Sequence, residues 1–376
     1  MRKKILFVSL TALAAVFLVL AIGCGKQEAA TATGTETEGS SVTVRLLTDV
    51  SGVDDKSYNA AAWRGILEFY GDTWANQSQR GKFYDTVIAQ TQDMYVPILM
   101  QISDEGYDLI VATGFTWSDA ISEVAARNPQ QKYMIVDVDW LSGDNILQTS
   151  YAEHEGSFLV GAAAALKAKE DGIVNPRFGF IGGVPNAVIT KFHVGYVQGV
   201  LYINPDAQFV DYYVNSWSEP GLAKTQAKNW YDAGVYIIYS AAGASGNGTI
   251  AQAKEERLAG KNVWAIGVDS DQHDEGLYSG NESAVFTSMI KKVETSLIFG
   301  LNAIQNNTFR GDSHNFDLAQ NGVGYTTTNS AMSKSIVDEL EVIRGKIVSG
   351  EIKIIPTNAG AKSLPGFPQN LRAVDD

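Results

Sequence analysis

Short apolar runs of strand length alternate with longer helical patterns through most of this chain of 376 residues. The strand-like runs are rich in β-branched residues and lie at 42–47, 109–112, 133–136, 146–149, 178–181, 209–213, 235–239 and 263–267. Between them, apolar residues recur at three- to four-residue spacing, which predicts helices at 59–70, 94–101, 117–127, 154–169, 190–201, 220–231 and 248–258. Strands that alternate with helices form parallel sheets covered on both faces, so the pattern predicts an α/β fold.

These strands are more than one sheet comfortably holds, and a break falls near Tyr151. We therefore expect two doubly wound parallel-sheet lobes, joined by a hinge and facing each other across a ligand cleft. The expected N-terminal lobe comprises 42–150 plus 271–322, and the C-terminal lobe comprises 151–270 plus 323–376. Several strands end in glycine or aspartate just before a helix, and in open α/β sheets such loops form the ligand crevice.

The first 24 residues have the pattern of a bacterial lipoprotein signal. Three basic residues precede an apolar stretch at 5–22, and small residues lead to Cys24, the only cysteine in the sequence. We expect Cys24 to carry the lipid, with 25–41 as a flexible tether to the extracytoplasmic face of a cell membrane. A transmembrane helix is the alternative, and Ala21 stands where most such signals have leucine.

Charge and catalytic patterns restrict the function. The formal net charge of −13 disfavours nucleic acid as a partner. Segment 243–247 begins like a nucleophile elbow, but Asn247 replaces the final glycine. The four histidines lack metal-ligand spacing, and the aspartates at 269, 271 and 274 match only the start of a calcium loop. We expect a protein that is not an enzyme and uses no cofactor or metal.

The loop at 47–59 is the densest set of polar residues at a predicted strand end. Gly52 allows a tight turn, and Ser57 or Asp55 can cap the following helix. A well-capped turn accounts for these three residues. It does not account for Tyr58 and Asn59, which would project from the first helical turn into the crevice.

This loop resembles the signature of the basic membrane protein family of bacterial lipoproteins, the purine nucleoside receptor group of substrate-binding proteins. The family has a similar Asp-Lys-Ser-Phe-Asn segment, with phenylalanine at the position of Tyr58. Further segments agree in the same order along the chain: Gly-Phe-Thr-Trp-Ser-Asp-Ala at 114–120, Ala-Glu-His-Glu-Gly-Ser-Phe-Leu-Val-Gly at 152–161, Gly-Phe-Ile-Gly-Gly at 179–183, Gly-Ala-Ser-Gly-Asn-Gly at 243–248, Gly-Val-Asp-Ser-Asp-Gln at 267–272 and Lys-Lys-Val at 291–293.

The resemblance implies a type I periplasmic-binding-protein fold that holds adenosine, guanosine or inosine between its lobes and delivers it, as a monomer, to an ABC permease and its ATPase. By the same resemblance, Tyr58 and Phe192 stack on the base, and the added hydroxyl of Tyr58 is expected to shift base preference. The base edge is then read by Asp49, Asn59 and Asp119, and the ribose hydroxyls by Asp269 and Lys291. From the residues themselves, the small Gly243 and Gly246 allow close approach of a ligand.

Each position also has an ordinary structural explanation. Phe192 fits a core position, Asp119 a first-turn charge favoured by the helix dipole, and Lys291 a solvated helix face. Three other functions stay open: the same fold binding a sugar or other neutral molecule, a surface adhesin or host-interaction lipoprotein, and a nucleoside hydrolase. The hydrolase is disfavoured because no calcium-binding aspartate cluster is assembled.

Overall fold

Two six-stranded sheets organise residues 42–375, the part of the chain that the computed structural model describes. The strands are β1 (Val44–Thr48), β2 (Tyr84–Ile88), β3 (Leu109–Thr113), β4 (Tyr133–Val136), β5 (Ile146–Tyr151), β6 (Arg177–Gly182), β7 (Gln208–Tyr213), β8 (Val235–Ala241), β9 (Trp264–Asp269), β10 (Leu277–Ser279), β11 (Glu282–Ser283), β12 (Val285–Lys291), β13 (Ser313–Phe316) and β14 (Val323–Tyr325). The helices are α1 (Tyr58–Tyr70), α2 (Tyr95–Asp104), α3 (Ser118–Arg127), α4 (Glu153–Glu170), α5 (Ala187–Ile203), α6 (Pro220–Asp232), α7 (Asn247–Leu258), α8 (Val293–Gln305), α9 (Lys334–Val348) and α10 (Asn358–Lys362).

The first sheet has the order β13-β5-β4-β3-β1-β2, and all of its strands are parallel. The second has the order β14-β12-β9-β8-β6-β7, and only β14 runs antiparallel to its neighbour. We call the first sheet with α1, α2, α3 and α8 the N-terminal lobe, and the second sheet with α4–α7 and α9 the C-terminal lobe. The predicted α/β class with two parallel-sheet lobes is confirmed.

Every helix and strand predicted from the sequence is present with its predicted type, and the ends differ by three residues or fewer. The predicted signal at 1–24, with Cys24, and the tether at 25–41 lie outside the described residues and stay predictions. Within the described part, strands β2 and β10–β14 and helices α8, α9 and α10 were not predicted. The polar residues Thr287 and Ser288 interrupt the apolar run of β12, so this buried strand could not be predicted from apolar runs alone.

The predicted lobe division is wrong for the first part of one segment, at 271–291. It assigned 271–322 to the N-terminal lobe, but β12 pairs with β9 and β14 in the second sheet. The chain returns to the first lobe only after Lys291, where α8 packs against α1 and β13 joins β5. The three crossings between lobes therefore follow β5, β12 and β13, and the first and second lie directly beside polar residues of the site.

Glycines let α4 and α5 pack with their backbones in contact. A Cβ atom on Gly199 would lie 2.0 Å from the carbonyl oxygen of Phe158, and one on Gly161 would lie 2.2 Å from that of Tyr196. Backbone atoms cannot move aside as a flexible side chain does, so this approach requires glycine.

Replacement of Gly199 by alanine should lower the free energy of unfolding by about 1–3 kcal/mol, because the added methyl group overpacks a helix contact. Gly345→Ala is the matched control: Gly345 lies inside α9 with no atom within 4 Å of its added Cβ. This control should gain about 0.5–1 kcal/mol from helix propensity. Urea unfolding of both variants checks the pair, and equal stabilities for the two variants would contradict the packing argument.

Candidate functional site

A cavity between the lobes lies at the carboxyl ends of both sheets, with about 590 Å³ of empty space when the part open to solvent is included. Most of the residues predicted to bind ligand line it: Asp49, Tyr58, Asn59, Phe192, Gly243, Asp269 and Lys291.

Two predicted site residues do not line the cavity. Asp119 is exposed in the first turn of α3, the position expected of a charge that favours the helix dipole. Gly246 is buried behind Gly243, where an added Cβ would meet the Cβ of Ser240 at 3.4 Å. Contact of either residue with a ligand stays a prediction.

The loop before α1 is held by the Asp55 carboxylate. Its oxygens accept hydrogen bonds from the backbone N–H groups of Ser57, Asn59 and Ala60 at 2.8–3.0 Å, which caps the helix. Burial nevertheless raises the pKa of Asp55 to about 6, against the lowering effect of these bonds. Ser57, the other predicted cap, makes no capping bond, and its hydroxyl donates across the cleft to Asp269.

Asp49 and Asn59 form one rigid polar unit beside this loop. The Asn59 amide donates to Asp49 Oδ1 at 3.2 Å and accepts from the Thr113 hydroxyl at 2.6 Å. Asp49 Oδ1 also accepts from the backbone N–H of Ser51 at 3.0 Å, while burial raises the Asp49 pKa. These contacts fix a carboxylate and an amide in one orientation at the cavity wall.

Lys291 ends β12 with its side chain only 2% exposed, so the interpretation as a solvated helix face is wrong. Its Nζ donates to both oxygens of Asp137, at 2.8 and 2.7 Å, and lies 3.5 Å from Oε1 of Glu153. Burial lowers the pKa of Lys291, but the surrounding carboxylates outweigh burial and hold the pKa above the usual value of lysine. The cation therefore persists at the cavity floor as one half of an ion pair between lobes.

Aromatic rings surround this ammonium group. Nζ lies 4.8 Å from the ring centre of Tyr58 and 5.2 Å from those of Tyr151 and Phe192. These distances are typical of cation–π contacts. Tyr58 comes from the N-terminal lobe and Phe192 from the C-terminal lobe, so the two residues predicted to clamp a ligand do meet at one cavity.

Asp269 ends β9 with a left-handed backbone, at φ 63°. Its Oδ2 accepts a hydrogen bond from the Ser57 hydroxyl at 2.9 Å, and its buried Oδ1 has no partner among the residues that the structure describes. Burial raises the pKa of Asp269 to about 7, partly countered by the charge of Lys291. Asp137, which holds Lys291, has a similar left-handed backbone at φ 68°. Such strain in a non-glycine residue is characteristic of functional sites.

Asp137, Phe115 and Trp217 are among the lining residues that the sequence analysis did not assign to ligand binding. Phe115 and Trp217 face each other across the lobes with ring centres 6.1 Å apart. Trp217 packs against Gly183, where an added Cβ would lie 2.1 Å from its ring. All three follow the carboxyl end of a strand, and that position is the signal that could have found them.

Hydrogen bonds between the lobes close the cleft around the cavity. The Asn247 amide donates to the carbonyl of Asp55 at 3.0 Å, and the Ser51 hydroxyl donates to that of Trp217 at 3.3 Å. Arg64 donates to the Ser270 hydroxyl at 2.8 Å on the hinge side. The arrangement is therefore that of a closed two-lobe clamp.

The described residues contain neither a cluster suited to a metal ion nor a helix suited to cross a membrane. Within residues 42–375, no cluster of histidine, cysteine or carboxylate side chains is arranged to hold a metal ion. In the same range, no helix has the length and apolar character needed to cross a bilayer. Two histidines are packed in the interior, where burial lowers the pKa of His154 to about 4 and that of His193 to about 3.

Comparison with known proteins identifies the family. Residues 42–358 match the model of the Bmp family, described as ABC transporter substrate-binding protein PnrA-like. The chain belongs to this family. The nucleoside-binding protein BmpA of Lactococcus lactis is 31% identical over 363 residues, which cover 94% of this chain and 99% of that protein. A CD4+ T-cell-stimulating antigen of Listeria innocua is 32% identical over 362 residues, with coverage of 94% and 99%.

Solved structures of solute-binding proteins from ABC transporters agree with this fold. A solute-binding protein of an ABC transporter system from Aeropyrum pernix superposes with a TM-score of 0.74 at 26% identity, over 86% of this chain and 96% of that one. A periplasmic solute-binding protein from Actinobacillus succinogenes, with bound D-allose, has a TM-score of 0.53 at 14% identity, over 78% and 99%, and shows the fold alone. The predicted family and type I fold are confirmed, and PnrA-like proteins act as extracytoplasmic substrate-binding components of ABC transporters.

Proposed function

We propose that this protein captures a purine nucleoside, namely adenosine, guanosine or inosine, in the cavity between its lobes. The observation that carries this proposal is the pairing of aromatic rings from both lobes with an unpartnered carboxylate oxygen and a buried ammonium group in one cavity. The captured ligand would pass to an ABC permease driven by its ATPase. The binding protein would act as a monomer and make or break no covalent bond.

The two ends of a nucleoside differ in chemistry, and the cavity offers a matching difference. A flat base gains about 1–3 kcal/mol from each stacked aromatic ring, and Tyr58, Phe192 and Trp217 offer such rings. The fixed carboxylate and amide of Asp49 and Asn59 can pair with donors and acceptors on the base edge. Charge-assisted bonds from ribose hydroxyls to Asp269 and Lys291 would supply the remaining recognition.

The membrane attachment is a separate part of the proposal. A lipid on Cys24 and the tether at 25–41 would hold the lobes near the permease on the extracytoplasmic side. The sequence pattern of a lipoprotein signal supports this part. A Cys24→Ser variant should appear in the soluble fraction of fractionated cells, whereas the wild-type chain should stay with membranes.

The nucleoside proposal can be tested with the full chain purified in mild detergent. Native mass spectrometry should release an intact nucleoside from the purified protein. Titration calorimetry should then show binding of at least one of the three nucleosides, with a negative heat-capacity change from buried apolar surface. Binding of a free sugar such as ribose without any nucleoside binding would favour the alternative neutral ligand, and release of free base during incubation would favour hydrolysis.

A further inference from the structure

One end of the cavity is crowded with polar groups. We call Tyr58, Asp137, Asp269 and Lys291 the polar end. The Lys291 ammonium group donates hydrogen bonds to both oxygens of Asp137 and lies 4.8 Å from the centre of the Tyr58 ring. The charges of Asp137 and Asp269 both act on the Tyr58 hydroxyl, whose pKa is raised first by burial and then by these carboxylates. The Tyr58 hydroxyl is therefore grouped with the charged side chains of the cavity and not with its aromatic rings.

Two atoms at the polar end have no hydrogen-bond partner in the described part of the chain: the Tyr58 hydroxyl oxygen and Asp269 Oδ1. Both are buried. The nearby Asp137 is close enough to act on the Tyr58 hydroxyl, but no hydrogen bond of ordinary geometry joins the two within the described residues, and Asp137 is held instead by two bonds from Lys291. A buried donor and a buried acceptor left unpaired at one site cost free energy, which a ligand that pairs with both would recover.

A single hydroxyl group of a ligand can pair with both atoms. Its oxygen can accept a hydrogen bond from Tyr58 while its proton is donated to Asp269 Oδ1. A base would need an adjacent carbonyl and N–H to pair with both atoms, whereas one hydroxyl does so alone. The two unpaired atoms at the polar end therefore suit a sugar hydroxyl.

We propose that the Tyr58 hydroxyl binds a ribose hydroxyl of the ligand and so helps this protein to select ribonucleosides over deoxynucleosides. This inference rests on the proposed function. It gives Tyr58 a second role beside stacking, and that role cannot be filled by the phenylalanine of the family signature. It also locates the effect of the extra hydroxyl at the sugar, whereas the sequence led us to expect it at the base.

The test compares the wild-type full chain with Tyr58→Phe, which keeps the ring and removes only the hydroxyl. The probes are the tightest-binding of adenosine, guanosine and inosine, together with its 2′-deoxy, 3′-deoxy and 5′-deoxy analogues, titrated by calorimetry. Tyr58→Phe should bind the ribonucleoside about tenfold more weakly than wild type. For one deoxy analogue, the two proteins should bind equally, because the contacted hydroxyl is absent.

Tyr196→Phe is the matched control. The Tyr196 hydroxyl is also buried without a partner among residues 42–375, but Tyr196 does not line the cavity. This variant should keep the wild-type ratio of ribonucleoside to deoxynucleoside affinity. Thermal unfolding without ligand should show neither variant destabilised, because each loses a hydroxyl that pairs with nothing.

The outcomes separate the two proposals. If wild type binds nucleosides and Tyr58→Phe weakens the ribonucleoside and all three deoxy analogues by the same factor, or weakens none, the inference about the hydroxyl is overturned while nucleoside binding stands. If wild type binds none of the nucleosides, the proposed function is wrong and this inference falls with it. A loss of discrimination at one hydroxyl position supports both.

Discussion

Replacement of Lys291 by methionine should weaken nucleoside binding at least about 100-fold and also destabilise the protein. Methionine preserves the length and much of the volume of the side chain but removes its charge. Binding would lose a donor to the ligand, and truncation of one partner of a buried charge pair commonly costs 2–5 kcal/mol or more. The larger consequence concerns the groups that remain.

Without the ammonium group, Asp137 would lie buried without its ion-pair partner, and Glu153 would keep only Lys191, whose Nζ lies 3.4 Å from its Oε2. Both oxygens of Asp137 accept hydrogen bonds from Lys291. One oxygen of Glu153, whose side chain is only 1% exposed, lies 3.5 Å from the Lys291 Nζ. Removal of one partner from a buried ion pair costs about 3–5 kcal/mol of unfolding free energy. The paired charge itself need not add stability, since a well-packed apolar substitute for both groups is often equally stable.

Two further variants make this prediction specific. Lys292→Met changes the adjacent lysine, which is 40% exposed and lies 3.9 Å from Glu294, and should leave stability and binding nearly unchanged. The double variant Lys291→Met with Asp137→Asn removes both charges and should recover part of the lost stability but none of the lost binding. Urea unfolding and titration calorimetry measure the two effects. Wild-type binding in Lys291→Met would show that the cation does not contact the ligand.

Lys291 and Asp137 show how much of the site could be predicted from the sequence. Lys291 was found because it opens the short segment at 291–293 that resembles the family, although its strand was not predicted. Asp137 was missed because an aspartate after the carboxyl end of a strand is common, and that position alone does not single it out. Its importance comes from a contact with a residue 154 positions later, and only the folded chain brings the two together.

Phe192 marks a different limit of sequence reasoning. Its spacing in α5 could not distinguish a core ring from a cavity wall. In the structure it is both, since it is 2% exposed in the closed arrangement and still lines the cavity. By contrast, the loop at 47–59 could be predicted well, because the tight turn at Gly52 and the cap by Asp55 are local interactions encoded within a few residues.

Nucleoside affinity should rise with pH up to about pH 7 and then level off, because of Asp269. Burial raises the pKa of this carboxyl to about 7, so it is partly protonated near neutral pH in the ligand-free protein. A ligand hydroxyl that donates to Oδ1 binds the ionised form more strongly. Below pH 7 the affinity should therefore fall by up to about tenfold per pH unit, until the pKa of the complex is reached.

Stability of the ligand-free protein should change in the opposite direction. Because the pKa of Asp269 in the folded protein exceeds its ordinary value of 3.8, its protonated form favours folding below that value, and this contribution is lost as the pH rises through about 7. Asp269→Asn removes the cost of the buried charge. At pH 8 this variant should be more stable than wild type by up to a few kcal/mol, since each pH unit between the two pKa values contributes about 1.4 kcal/mol. The gain should fade toward pH 4.

Other groups near the cavity set the control for this experiment. Asp55 has a pKa raised to about 6 by burial and titrates in the same range, whereas His154 and His193 stay neutral above pH 5. Both wild type and Asp269→Asn keep Asp55, so the difference between their pH profiles isolates Asp269. Calorimetry in two buffers of different ionisation enthalpy should detect proton release on binding to wild type below pH 7 and less release from the variant. Identical pH profiles for the two proteins would exclude Asp269 as the group that couples proton release to ligand binding.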